Sequence, residues 1–215
     1  PNFRFDPREP QRVIEGRTGA ERGFSQPWTE EQWRFGIWGY YRHVEMVDAV
    51  VGQALDALED SPHRDNTVVI FTSDHGDMHG RHRLITKTFF YDASCRVPLI
   101  VSWPGHIAEG AVERRLVSGL DMTPTWCDLA GTPPPPDMRG YSLRPLLEGR
   151  PVEWRDFVYA RSGALGRMIR TENFKFVEYT DDPTRQLFDM KNDPWETKNL
   201  AVESRCASIL EEHRG

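Results

Sequence analysis

The segment FTSDHGDMHGRHRLITK, residues 71–87, concentrates side chains that could bind a metal ion or an anion. Asp74 offers hard carboxylate oxygens and His75 offers a neutral nitrogen, and together these donors suit a divalent cation. Gly76 permits the sharp turn that adjacent ligands need, and Lys87 could return over the metal to hold an anionic oxygen. The spacing alone leaves a second interpretation open, in which Asp74 caps a turn and the histidines lie on the surface.

The run TVVIFT, residues 67–72, leads into this segment and is typical of a strand buried on both faces of a parallel sheet. Ligands bind beyond the C-terminal ends of strands in open α/β sheets, so the segment starts where a binding site is expected. A second strand is predicted over VPLIVSW, residues 97–103, which is followed by Pro104 and Gly105.

A long helix is predicted over about residues 30–59, because apolar residues recur there at helical spacing. Thr29 and Gln32 have the spacing of a capping box at its start. We assign three titratable residues to its polar face rather than to catalysis: His43, Glu45 and Asp48.

The C-terminal part has a different pattern of predicted elements. A short helix is predicted over TPTWCDLAG, with Thr123 as its N-cap, Pro124 at its first position and Gly131 past its end. Beyond residue 150, short segments separated by turn residues predict an antiparallel meander, and a final helix is predicted near 200–213. The sequence thus divides into an α/β part, residues 1–150, and a small antiparallel sheet with one helix, residues 151–215.

Composition excludes several function classes. The 215 residues are 38% hydrophobic and 28% charged, with a net charge of −6, which is ordinary for a globular protein. No basic field for nucleic acid or an anionic membrane is present, and no run approaches the roughly 18 apolar residues of a membrane-spanning helix. The three cysteines, odd in number and widely spaced, predict free thiols in the core rather than a disulfide framework or a zinc site. Localisation stays open.

Several linked segments resemble the sulfatase family of the alkaline phosphatase superfamily. They are NTVVIFTSDHGDMHGRHRLITKTFFYDASCRVPLIVSWPG, the preceding helix YYRHVEMVDAVVGQALDALED, VSGLDMTPTWCDLAG, MIRTENFKFVEY and QLFDMKNDPWETKNLA. The resemblance covers about residues 29–205. It implies an α/β fold in which part of a mixed or parallel sheet is sandwiched by helices. A small antiparallel sheet subdomain with a C-terminal helix follows.

The resemblance also implies roles for individual residues. Asp74 and His75 match a pair of metal ligands, for which the usual ion is calcium. Many sulfatases have asparagine in place of His75, and the softer histidine nitrogen makes manganese an alternative. Lys87 matches the lysine that contacts the sulfate oxygens and the leaving group, and His82 is a candidate for lining the substrate pocket.

Four further residues receive structural interpretations. We expect His79 to be exposed to solvent and Arg96 to form a structural ion pair. Asp121 is interpreted as an acid that caps a turn or helix, and Asp77 as a group that orients a neighbouring ligand.

The sequence departs from the family pattern in two important respects. It contains no C/S-x-P-x-R motif, which in the family supplies the cysteine or serine that is oxidised to formylglycine, and no first pair of adjacent aspartate ligands. We therefore expect a missing N-terminal segment or a complementary chain to supply them, and the isolated chain to be inactive.

The expected reaction is metal-dependent hydrolysis of a sulfate ester of a small molecule or saccharide. Two alternatives remain: a phosphonate monoester or phosphodiester hydrolase of the same superfamily, and a truncated, non-catalytic half.

Overall fold

The computed structural model of the protein describes residues 2–3, 6, 8–18, 28–163 and 165–214. The chain forms two compact units, Pro1–Ser102 and Trp103–Gly215. The domain boundary predicted near residue 150 stays a prediction. In the first unit, helix α1 (Gln11–Thr18) precedes a long helix, α2 (Glu30–Glu59).

Helix α2 begins as its sequence predicts. The Thr29 side chain accepts a hydrogen bond from the Gln32 amide at 3.2 Å, and the Gln32 side chain accepts one from the Thr29 amide at 2.8 Å. This capping box satisfies amides that have no partner within the helix. None of the α2 residues is buried by the described parts of the chain, so its apolar face is accessible, including Phe35 and Trp38.

Two strands flank the candidate site. Strand β1 (Val69–Thr72) pairs with β2 (Leu99–Ser102) in an antiparallel register, with Val69 opposite Ser102. The apolar run before residue 73 predicted a strand buried in a parallel or mixed sheet. The observed pair is antiparallel and only partly buried, because a β-branched run indicates strand formation but not strand direction. In the chain, helix α3 (Asp92–Cys95) comes between these two strands, and it packs against the loop that follows β1.

The second unit begins with a region organised around Asp121. Its carboxylate is fully buried, accepts the amides of Ser118 and Tyr141 at 2.7 and 2.9 Å, and pairs with both terminal nitrogens of Arg155. The structural role predicted for Asp121 is therefore confirmed. Helix α4 (Met122–Leu129) begins directly after it, so the prediction of Thr123 as N-cap was wrong.

The end of α4 follows the prediction. Gly131 has a φ of +66°, the left-handed conformation that favours glycine after a helix. A short helix, α5 (Arg144–Leu147), comes before the sheet.

The predicted antiparallel meander is confirmed. Its strands, in spatial order, are β3 (Phe157–Ser162), β4 (Gly166–Thr171), β5 (Phe174–Tyr179) and β6 (Gln186–Asp189). Helix α6 (Ala207–Arg214) covers part of one face, where Ile209 and Leu210 pack against a core that includes Phe176 and Leu187.

Two composition-based predictions can be compared with the structure. All three cysteines are free thiols, but only Cys206 is buried. Within the described ranges, none of the helices combines the length and apolar character needed to cross a membrane.

Candidate functional site

The loop after β1 is fixed in place by Gly76. Its amide donates to the Ser94 carbonyl of α3 at 2.8 Å, and a Cβ at this position would lie 2.1 Å from the Ala93 carbonyl oxygen. Only glycine fits such a close approach between two backbones. A sharp turn was predicted at Gly76, and close packing against α3 is the physical reason that the structure gives for the glycine.

This packing orients the ring of His75. The Nδ1 atom lies 2.8 Å from the Gly76 carbonyl oxygen, which can only accept a hydrogen bond. Nδ1 therefore carries the proton, and the lone pair of the neutral ring lies on Nε2. Fixing the tautomer through a backbone carbonyl is the arrangement that metal-binding histidines commonly use.

Three sequence-predicted residues meet at that lone pair. Lys87 Nζ lies 2.5 Å from His75 Nε2, and Asp74 Oδ2 lies 3.4 Å from the same atom. The structure thus brings together Asp74, His75 and Lys87, although Lys87 follows His75 by twelve positions in the chain. All three are open to solvent, and 83% of the Asp74 side chain is exposed.

The Asp74 carboxylate is held in its ionised form. Desolvation acts to raise its pKa, but hydrogen bonds from the backbone amide of His75 and from the Ser73 hydroxyl act in the opposite direction. The pKa of Asp74 therefore lies below its usual value. The His75 amide donates to Oδ1 at 2.9 Å, which leaves Oδ2 directed toward the imidazole.

Asp77 shapes the loop that returns Lys87 to the site. Its Oδ1 atom accepts hydrogen bonds from the amides of His79 at 3.0 Å and Thr86 at 3.1 Å. These contacts tie the two arms of the loop together. Asp77 was predicted to orient a neighbouring ligand. The structure shows instead that its carboxylate positions the backbone beside Lys87.

Lys87 lies between two residues with unusual backbone conformations. Thr86 has a φ of +61° and Thr88 has a φ of +99°, which are unfavourable for β-branched side chains. Conformations of this kind cost on the order of 1–3 kcal/mol each and concentrate at functional sites. The loop is held there by buried anchors at Met78 and Leu84, neither of which is exposed.

The structure places His82 in the interior of this loop. The side chain is 1% exposed, stacks on Tyr91 with ring centroids 3.9 Å apart, and contacts the Asn2 side chain through Nε2 at 3.2 Å. Its backbone carbonyl accepts a hydrogen bond from Arg17 at 2.7 Å. These contacts favour a structural role for His82, and its contact with substrate stays a prediction.

Two other predictions about nearby residues require correction. The side chain of His79 is 30% exposed and packs against Tyr40, with ring centroids 3.6 Å apart. Burial lowers the pKa of His79, and the nearby Asp77 opposes this effect. Arg96 is exposed, and none of the described residues forms the predicted ion pair with it.

The cluster combines two potential metal donors with one cation. Asp74 offers Oδ2 and His75 offers Nε2, whereas the Lys87 ammonium is a hydrogen-bond donor that cannot bind a metal ion. Within the described residues, histidine, cysteine and acidic side chains form no group of three or more that could enclose a metal. The arrangement could therefore supply two ligands and one anion-binding group to a larger site.

Sequence reasoning missed Ser73. Its hydroxyl donates to the His75 carbonyl at 2.9 Å and lies 3.4 Å from Asp74 Oδ1. The serine that precedes an Asp-His pair at a strand end was a signal that could have identified this role. No sequence signal indicated the contact of His82 with Asn2, which lies 80 residues away.

Comparison with known families gives two overlapping matches. The model described as "Sulfatase" matches residues 19–132, and the model described as "N-sulphoglucosamine sulphohydrolase, C-terminal" matches residues 80–214. The first match includes the Asp74–Lys87 cluster, and the second includes the antiparallel sheet.

Individual proteins are similar over less than half of their own length. A Delta 4,5-hexuronate-2-O-sulfatase of Bacteroides thetaiotaomicron is 36% identical over 200 residues, which cover 87% of this chain and 41% of the relative. One similar protein has been solved in complex with its substrate, D-glucosamine-2-N,6-O-disulfate. Its sequence is 31% identical to this chain, and the structures superpose with a TM-score of 0.80 over 95% of this chain and 43% of that one.

A phosphonate monoester hydrolase of Agrobacterium radiobacter is also 31% identical, with a TM-score of 0.78, over 89% of this chain and 43% of that one. Two solved structures described as sulfatases are 32% and 31% identical to this chain, with TM-scores of 0.84 and 0.82, and each match covers 99% of this chain and 49% of the other; they confirm the predicted fold class. Together with the family model that matches more than half of its residues, they establish that this chain belongs to the sulfatase family.

Proposed function

We propose that this chain forms part of the active site of a sulfuric ester hydrolase. The observation that carries the proposal is the convergence of Asp74 Oδ2 and Lys87 Nζ on the unprotonated Nε2 of His75, at the end of a strand. Membership of the sulfatase family supports the same conclusion.

Each residue of this cluster has a distinct proposed role. The Lys87 ammonium binds a non-bridging sulfate oxygen and stabilises the negative charge that develops as the ester bond breaks. Asp74 and His75 supply two ligands to a divalent cation, Ca²⁺ or alternatively Mn²⁺. Such a cation, held in part by these two residues, would supply Lewis-acid chemistry at the sulfate group.

The nucleophile and the remaining ligands are proposed to come from residues outside this chain, either a preceding segment or a complementary chain. The similar proteins have more than twice the length that this chain matches, which supports this view. The accessible apolar face of α2 provides a surface that additional structure could cover. The nucleophile expected there is formylglycine.

The proposed substrate is a sulfated saccharide. This choice rests on the similar proteins, one named as a hexuronate-2-O-sulfatase and another solved with a sulfated glucosamine. A smaller sulfate ester, such as an aryl sulfate, is a suitable test substrate because the roles proposed for the cluster involve only the sulfate ester group.

The first test is Lys87→Ala in the native full-length gene product. We expect turnover of an aryl sulfate to fall by about 10²–10³-fold, the usual effect of losing one group that stabilises transition-state charge. Lys191→Ala is the matched control, since Lys191 is an exposed lysine on the turn after β6. Equal turnover by both variants would eliminate Lys87 from the mechanism.

The second test is Asp74→Ala, followed by elemental analysis of the purified protein. We expect the bound divalent ion to be lost or greatly reduced, because half of the donors supplied by this loop are removed. Full metal content in the variant would show that Asp74 is not a ligand.

Phosphonate monoester hydrolysis is the second candidate, favoured by the similarity to the Agrobacterium radiobacter enzyme. The same cluster could bind a phosphonate oxygen, since Lys87 recognises charge rather than the central atom. Comparing kcat/KM for phenyl phosphonate esters and aryl sulfates distinguishes the two candidates, and a higher value for the phosphonate would reverse our assignment.

A further inference from the structure

One end of the four-stranded sheet carries a row of charged side chains, one from each strand or its immediate start. Arg161 of β3 lies opposite Arg167 of β4, and Arg167 lies opposite Glu178 of β5. Arg185 precedes β6 and lies beside Glu178. This arginine row contains three positive charges and one negative charge, and it lies beyond the part of the sheet face that α6 covers.

Hydrogen bonding leaves this charge unbalanced. Glu178 is shared, because its Oε2 accepts from Arg167 at 2.7 Å and its Oε1 accepts from Arg185 at 2.9 Å. In the described part of the sheet, Arg161 has a single hydrogen bond, from Nε to the Gly163 carbonyl at 3.3 Å. Like charges directly opposite each other on neighbouring strands are destabilising, so Arg161 and Arg167 would be stabilised by an anion between them.

The row lines an open groove of about 450 Å³. Tyr159 also lines it, and this side chain lies two residues from Arg161 on the same face of β3 and is 45% exposed. Asp182 also lines the groove and accepts the Thr184 amide at 2.8 Å, so the lining contains three arginines and two carboxylates. The groove therefore combines guanidinium groups with an accessible aromatic ring.

We propose that this groove is a binding site for an anionic saccharide unit. The planar guanidinium groups of Arg161 and Arg167 suit the paired oxygens of a sulfate or carboxylate group. The ring of Tyr159 offers an apolar face against which a sugar ring can pack. The anionic character of the ligand follows from the arginine row alone, whereas its identity as a saccharide rests on the proposed function.

The experiment measures binding of a heparin-derived tetrasaccharide by isothermal titration calorimetry. The full-length gene product carries Lys87→Ala in every sample, which is expected to slow turnover by about 10²–10³-fold and to weaken binding at the catalytic cluster. We expect Arg161→Gln to weaken binding by about tenfold, the effect of losing one charge-assisted hydrogen bond. Arg205→Gln is the matched control, since it removes an exposed arginine in the same unit that lies outside the groove.

The saccharide part is tested separately with Tyr159→Ala and with inorganic sulfate as competitor. We expect Tyr159→Ala to weaken tetrasaccharide binding and to leave sulfate binding unchanged. If Tyr159→Ala has no effect and sulfate competes as well as the tetrasaccharide, the site recognises a simple anion and the saccharide assignment fails. If Arg161→Gln and Arg205→Gln weaken binding equally, the attraction is a general charge effect and the groove is not a site.

Folding and catalysis are controlled independently. We expect the unliganded Arg161→Gln variant to have an unchanged or higher Tm, because the substitution removes a like-charge contact. Saccharide should raise the Tm of the parent protein more than that of the variant. Unchanged aryl sulfate turnover in Lys87→Ala would reject the catalytic role proposed for Lys87, whereas the comparison of Arg161→Gln with Arg205→Gln would still test the groove.

Discussion

The contact between Gly76 and α3 allows a quantitative prediction about the candidate site. In Gly76→Ala the new Cβ would lie 2.1 Å from the Ala93 carbonyl oxygen, whereas real Cβ contacts are essentially never shorter than 3.0 Å. The loop and α3 must therefore separate by at least the difference, 0.9 Å. The His75 ring is hydrogen-bonded to the Gly76 carbonyl, so the ring moves with this backbone.

A displacement of this size is large for catalysis. Misplacing a reacting group by about 1 Å costs on the order of 10²-fold in rate. We expect Gly76→Ala to lower kcat/KM for an aryl sulfate by about that factor, and to reduce the content of bound metal. The assay compares initial rates of the full-length protein and its variant at matched concentration, with folding checked by circular dichroism.

Gly39→Ala is the matched control. Gly39 lies inside α2, and a Cβ there meets nothing within 4 Å. This substitution should stabilise the helix by about 1 kcal/mol and leave turnover unchanged. If Gly76→Ala is folded and turns over substrate at the parental rate, the close approach does not position His75 and the reasoning is refuted.

Three further predictions test other parts of the molecule. His75→Asn should shift the preference of the site from Mn²⁺ toward Ca²⁺, because an oxygen donor replaces a nitrogen, and an unchanged ratio of the two affinities by calorimetry would argue against ligation. The hydrogen bond from Arg115 holds the pKa of Glu113 at about 2, below its ordinary value of 4.5. The stability that the ionised Glu113 contributes is therefore lost as the pH falls from 4.5 through about 2. Titration by NMR should show the lowered pKa of Glu113, and Arg115→Gln should return that pKa toward 4.5. Lys175→Met should lower the free energy of unfolding by about 3–5 kcal/mol in urea, because it leaves the buried Glu196 carboxylate without its lysine, and a loss below 1 kcal/mol would contradict this account.

Local signals in the sequence predicted many elements correctly. The capping box at Thr29 and Gln32 sets the start of α2, because both hydrogen bonds involve neighbouring residues. The meander β3–β6 was predictable for a similar reason, since short strands separated by turn residues pair with their neighbours in the chain. In each case the determining interactions span few positions.

Interactions between distant residues were harder to predict. The stacking of His82 on Tyr91 and its contact with Asn2 depend on how the loop folds back, and a histidine in this setting has no distinctive sequence pattern. The direction in which β1 and β2 pair was also hidden, because apolar β-branched residues occur in strands of either orientation. Resemblance to a family indicated Lys87, whereas composition and spacing left its role open.

The loop between β1 and α3 links the stability of the fold to the geometry of the site. Its interior is a small core in which Met78 and Leu84 are fully buried, and its exposed edge carries His75 and Lys87. The unfavourable backbone conformation at Thr86 persists because the Asp77 carboxylate and the surrounding core hold it. A substitution that loosens this core would therefore separate Lys87 from His75 without touching either side chain, so precision at the site depends on packing beneath it.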